Sequence, residues 1–374
     1  MEEINANSNP KDDKFQTEEV GEKSKKSKFA QFFLKELSPR TKKILAVFLI
    51  IFGGLFAFGI YILPFDTGNN TTLKEKEKPK LDTACPLTGV YVQKPDAQRR
   101  PFGVMIENHY AARPQSGLDK ADLVYEVVTE GEITRFLAFY QCQKADEIGP
   151  VRSSRIYYLD WVAELSAFYA HAGGSPDALA QISRDGALDL QHATGYFWRS
   201  SSRPAPHNLY TSINKLEQYA SSKKYDLNQV DFTSWDFKDD PTKAKRPAEF
   251  NFKIHFSSAS YLVEYIYNQA TNDWTRKIAG QIQKDAKNGE SINVKNIAVE
   301  FTQITKRSDG RVNVGTIGSG RALFFIDGKV TEGTWKKDSA GERVIFLDSK
   351  GNKIKFSRGS TWVEVVQDGT KVEY

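Results

Sequence analysis

Apolar positions fall into three textures along the chain. The first is an uninterrupted run, ILAVFLIIFGGLFAFGIYIL at residues 44–63, with no charged residue in it. At about 1.5 Å per helical residue such a run matches a hydrocarbon core about 30 Å thick. It predicts one transmembrane helix over residues 44–64. The run starts too far from the N-terminus for a cleaved signal peptide, and no small-residue cleavage site follows it directly.

The second texture covers residues 85–235. FGVMIEN (102–108), DLVYEVVT (122–129) and ITRFLAFYQC (133–142) predict strands. Ile156, Leu159, Val162, Ala163 and Leu165 follow helical spacing and predict a helix over 153–166. FYAHA (168–172) returns as a short strand. GGSPDALAQISR then opens a second helix: Ser175 suits its cap, Pro176 its first turn and Asp177 its dipole. SINKLEQYA predicts a third helix after Thr211. Strands alternating with helices point to an α/β layer.

The third texture follows a polar stretch at 231–250. Residues 245–374 hold short β-rich segments such as FKIHF, NIAVEFTQI, RALFFIDGK and TWVEVVQDG, several of them separated by glycine turns. The expected fold class is therefore an α/β N-terminal extracytoplasmic domain plus a mostly-β C-terminal domain, preceded by one transmembrane helix. Residues 1–43 read as a disordered basic tail and 65–84 as a linker.

Charge changes this picture mainly by orienting it. The net charge of +5 is mild, and much of it sits in KSKKSKFAQFFLKELSPRTKK (23–43), before the apolar run. After the run, Asp66, Glu75, Glu77 and Asp82 balance the lysines. The positive-inside rule places the N-terminus in the cytoplasm and the bulk of the chain outside. The basic flank and the helix then contact membrane lipid. Nothing here calls for nucleic acid as a partner. The two cysteines, Cys85 and Cys142, are too few for a zinc site, and no metal or cofactor is expected. In an oxidising compartment they can form a disulfide; the alternative is two separate buried thiols.

Candidate chemistry gathers in four polar stretches of the α/β part. In GPVRSSR (149–155), the serines and proline suit a helix start, but Arg152 and Arg155 there would oppose the dipole. They need a negative partner, either an internal carboxylate such as Glu107, Glu126, Glu130 or Glu132, or an external anion held by the guanidinium forks. Ser153 lies between them. HAGGSPD (171–177) places His171, Gly173, Gly174 and Ser175 between a strand end and a helix start, a natural anion cradle. WRSSSRPAPHNLY (198–210) adds Arg203 and His207, and ENHYAARPQSG (107–117) adds Glu107 and Arg113. Convergence of these stretches would make a basic cleft for an anionic envelope polymer, a glycan or an envelope protein. The alternative is a hydrolase or transferase acting on wall glycan, with His171, Glu126 and Glu130 as candidate catalysts. No nucleotide-binding, GxSxG or HExxH motif is present.

The stretches PLTG (86–89), RRPFGVMIEN (99–108), ARPQSGLDKADLVYE (112–126), EGEITRFLAFYQ (130–141), IGPVRSSR (148–155), HAGGSP (171–176) and RPAPHNLY (203–210) together resemble the YerB-like family of bacterial envelope proteins. The resemblance covers about residues 86–370. It implies an N-terminal domain followed by a β-rich C-terminal domain, both of unknown function, held at the cell surface. Many members look like lipoproteins anchored through an N-terminal cysteine. Here Cys85 lies too far past the apolar run for that, and a membrane helix takes the anchor's place.

Overall fold

The computed structural model describes residues 38–40, 43, 81–228 and 230–374. The apolar run at 44–63, most of the basic tail and most of the linker lie outside these residues. Among the described residues no helix is long and apolar enough to cross a membrane. The described residues from 81 onward belong to one compact unit.

The nearly continuous apolar segments become the middle of a ten-stranded sheet. β1 (Phe102–Glu107), β2 (Leu123–Val128) and β3 (Thr134–Tyr140) are buried along almost their whole length. Burial on both faces is what an unbroken apolar strand requires. After β3 come helix α1 (Tyr158–Ala163), β4 (Phe168–His171), helix α2 (Pro176–Arg184), β5 (Asp189–Gln191) and helix α3 (Ile213–Ser222). β6 (Asn251–His255), β7 (Leu262–Asn268) and β8 (Asp273–Ile278) alternate buried and half-exposed positions, the mark of strands with one wet face. They pair antiparallel in a second, six-stranded sheet.

The remaining long strands return to the large sheet. They are β9 (Asn296–Thr302), β10 (Gly318–Ile326), β11 (Lys329–Lys337), β12 (Ile345–Asp348) and β13 (Thr361–Gln367). The strand order is β12-β11-β10-β9-β13-β2-β3-β1-β4-β5. β13 lies parallel to β9 on one side and to β2 on the other, with Val363 opposite Ala298 and Tyr125. The mostly-β C-terminal part and the α/β N-terminal part therefore share one sheet. Val104, Val124, Phe136, Ile297 and Trp362 face the core shared with Phe252, Tyr265 and Trp274 of the six-stranded sheet. Met105, Tyr125, Leu137 and Val363 face the opposite core, with Trp161, Leu165 and Ile182 of the helical side.

Two local outcomes matter for function. Cys85 and Cys142 form a disulfide, tying the start of the compact unit to the end of β3. The helix expected over 153–166 is only the short α1, because residues 151–154 are extended. Their backbone is engaged on both sides: Arg152 N–H donates to Met105 O at 2.9 Å, Ala172 N–H to Arg152 O at 3.0 Å, and Ser154 N–H to Gly173 O at 2.9 Å. Gly149 makes the entry into this segment possible. Its φ is +151°, and a Cβ there would stand 2.7 Å from Leu209 O.

Candidate functional site

The extended course of GPVRSSR removes the dipole argument and places its arginines on the sheet's rim. Arg155 forms a forked ion pair with Glu130, its Nη2 donating to Oε2 at 2.9 Å. Its Nη1 donates to Ser154 O at 2.7 Å, which completes the fork. Arg152 behaves differently. Its Nε lies 3.0 Å from Glu107 Oε1, a charge contact without hydrogen-bond alignment. Its terminal nitrogens have no hydrogen-bond partner among the described residues, and 28% of the side chain is exposed.

Glu107, at the end of β1, is the centre of a small cluster. Its other oxygen, Oε2, accepts from His207 Nδ1 at 2.9 Å, and its side chain is only 6% exposed. The His207 ring is 17% exposed, and its Nε2 has no partner among the described residues. His109 stacks on His207 with centroids 4.9 Å apart and touches the Tyr110 ring at 4.0 Å. Tyr110 is 70% exposed. His109 Nδ1 accepts the Ala111 N–H at 3.2 Å. Burial, then the neighbouring His207, holds the His109 pKa below the usual histidine value, with Arg152 and Arg113 adding to this and Glu107 opposing it. So Glu107, Arg152, His207 and Arg113 all lie within electrostatic reach of one ring.

Arg113 borders this cluster but is closed. It donates to Asn108 Oδ1 at 2.9 Å, Asn108 O at 3.0 Å and Ser260 O at 2.9 Å, and lies over the Tyr261 ring. Arg203 spends its guanidinium on the carbonyls of Ala112 and Pro114. It thereby pins the loop that carries His109 to the loop that carries His207.

The other expected residues are structural in their contacts. His171 is fully buried, with Nδ1 2.7 Å from Gly173 O and Nε2 3.0 Å from Asp189 Oδ1. Both ring nitrogens face protein oxygens, and the side chain presents no surface to solvent. The Gly173–Gly174 turn receives the backbone of Ser154 instead of an anion, and Ser175 N–H donates to Ser154 O at 3.2 Å. A Cβ on Gly174 would touch the Ser154 Cβ at 3.2 Å. Ser153 Oγ donates to Ala172 O at 2.8 Å. At the start of α2, Asp177 already pairs with Arg307 at 2.5 Å. Glu126 is fully buried between the two sheets. It accepts from Asn108 at 3.0 Å, Thr134 at 2.5 Å and Arg276. The expected cleft is therefore divided: Arg152, His207 and, at their border, Arg113 share a surface, whereas His171 and Glu126 are buried elsewhere and the partly exposed glycine turn is bonded to the Ser154 backbone. Cavities of about 300–640 Å³ occur on other parts of the compact unit, lined by other residues.

Sequence reasoning passed over His109 and Tyr110. Their signal was available: two rings directly after a buried strand, in a loop the pattern marks as polar. The role of Glu107 as a shared partner of Arg152 and His207 depends on a contact across 100 residues of chain, which no local pattern carries.

Comparison with known proteins bears on the whole compact unit. The chain is 35% identical over 293 residues to a Bacillus subtilis (strain 168) protein described as "Putative lipoprotein YerB", an overlap of 76% of this chain and 86% of that one. The crystal structure of the YerB protein from Bacillus subtilis superposes with a TM-score of 0.71 at 31% identity, covering 78% of this chain and all of that one. Residues 87–226 match the family described as "Protein of unknown function (DUF3048) N-terminal domain", and residues 252–363 match its C-terminal domain. With both halves matched in order on one continuous sheet, the chain belongs to the YerB-like DUF3048 family.

Proposed function

We propose that this protein is tethered to the cell membrane by residues 44–63 and holds an anionic envelope polymer on its outer side, at the surface formed by Arg152, His207, His109 and Tyr110. One observation carries the reading. Of the arginines expected to bind a ligand, Arg152 alone keeps terminal nitrogens without a protein partner among the described residues. Arg113, Arg155 and Arg203 are committed to carbonyls, Asn108 or Glu130. A half-exposed guanidinium beside stacked rings suits a polymer that carries both negative charge and sugar or polyol faces. Its lipoprotein-type relative supports placement at the envelope.

The test is retention of the purified full chain on isolated cell-wall polymer. Arg152→Ala should lose most retention, while Arg155→Ala, whose fork is closed by Glu130, should keep it. Equal retention by wild type and Arg152→Ala would overturn the reading. A second reading, a wall-acting hydrolase or transferase, is favoured by the Glu107–His207 contact, in which a buried carboxylate orients an imidazole. It requires turnover that His207→Asn abolishes without abolishing binding.

A further inference from the structure

The same surface fixes which nitrogen of each histidine carries a proton, and this limits what can bind. His109 Nδ1 accepts a backbone N–H, so in the neutral ring the proton sits on Nε2. His207 has the reverse arrangement. Its Nδ1 faces the Glu107 carboxylate, which can only accept, so in the neutral ring Nδ1 carries the proton and Nε2 presents a lone pair. The rings stack nearly parallel, 13° apart. One partly exposed surface therefore holds a guanidinium donor at Arg152, an N–H donor at His109 and an acceptor at His207.

We propose that the unit recognised here is a phosphate with a hydroxyl on a neighbouring carbon, as in a polyol- or sugar-phosphate repeat. The proposal rests on the reading of this surface as an anion site. Phosphate oxygens would take the Arg152 fork and the His109 Nε2–H, and the hydroxyl would donate to His207 Nε2. A simple carboxylate or a phosphate without a hydroxyl leaves the His207 lone pair unmatched. A neutral glycan leaves Arg152 unmatched. Each unmatched group is a lost hydrogen bond, and losing a neutral one typically weakens binding about three- to tenfold.

The experiment is titration of the full chain, purified in detergent, at pH 8.5. The readout is the imidazole proton resonances of His109 and His207. The probes are glycerol 3-phosphate, methyl phosphate, acetate and poly(glycerol phosphate). Glycerol 3-phosphate should bind about three- to tenfold more tightly than methyl phosphate, and acetate, with a single charge and no hydroxyl, more weakly than either. His207→Phe should bring the two phosphates together, and Arg152→Ala should weaken both. Equal affinity for the two phosphates in the wild type would overturn the inference while leaving the anion site intact. Failure of the polymer and both phosphates to shift either ring would overturn the anion site as well.

Discussion

Glu300 offers a sharp test of the energetics of this fold. It lies in β9, on the face turned towards α1, and is 5% exposed. Its Oε1 has no hydrogen-bond partner among the described residues. Nearby, Glu164 receives the Tyr125 hydroxyl at 2.6 Å, the Lys337 ammonium at 2.5 Å and the Arg343 guanidinium. The two cations thus serve Glu164, and Glu300 gains little from them. Burial first, and the Glu164 carboxylate second, push the Glu300 pKa up from 4.5 to about 8. The native state therefore keeps a proton that the unfolded chain releases. Stability from this proton is complete below pH 4.5 and is lost as pH rises towards 8. The slope is about 1.4 kcal/mol per pH unit, and over the whole range the loss is of order 3–5 kcal/mol. Glu300→Gln keeps the shape and removes the titration. Urea unfolding followed by tryptophan fluorescence at pH 5, 6.5 and 8 should show similar stability for both proteins at pH 5. At pH 8 the variant should be the more stable by about 3 kcal/mol. Parallel pH dependence in the two proteins would refute the reasoning, because the carboxyl would then have found solvent or a partner on ionising.

Two further outcomes follow from buried groups. Glu126→Ala removes the direct partner of Arg276, a fully buried guanidinium, and leaves it facing Glu364, whose own pKa is raised by burial and by Glu126; thermal unfolding should show a loss of about 3–5 kcal/mol. Replacing both Cys85 and Cys142 with serine opens a loop spanning a sequence separation of 57 residues; denaturant titration should show a loss of about 4 kcal/mol in the chain-entropy limit, with the Arg152 surface unchanged in ligand titration.

The sequence showed the strand–helix alternation clearly because FGVMIE, LVYEVV and TRFLAFY carry their own burial signal. The second helix was equally legible from Ser175, Pro176 and Asp177, and α2 begins at Pro176. The start of α1 was not. Helical spacing at Ile156, Leu159 and Val162 is real, but Arg152 and Ser154 lose their backbone groups to β1 and to the turn after β4. Tertiary pairing overrode local preference there. The same contacts decided the candidate site. Arginine after Gly-Pro reads identically whether its fork is closed by Glu130 or left open beside Glu107, since neither acid is near in sequence.

The shared sheet makes the two halves of this chain depend on each other structurally. β13 comes from the C-terminal half yet fills the place between β9 and β2. Without it, β2 would present a row of unpaired backbone groups along an apolar strand, an edge that favours aggregation. The polar contacts repeat the arrangement. Glu126 and Glu364 stand directly opposite one another on β2 and β13, an unfavourable pairing for two carboxylates. Arg276 from β8 reaches both, and Tyr265 from β7 donates to Glu364. Gln283 and Gln115 extend the network to Asn108 at 3.1 and 2.9 Å. Asn108 also accepts from Arg113 at the border of the His109 surface. The β-rich half thus reaches, through buried hydrogen bonds, the loop that carries the proposed ligand contacts. A chain lacking residues beyond 250 would lose Arg276, Tyr265, Gln283 and Ser260 together, leaving Glu126 and Arg113 without part of their support. In this chain the C-terminal half is therefore part of what holds the N-terminal surface in shape.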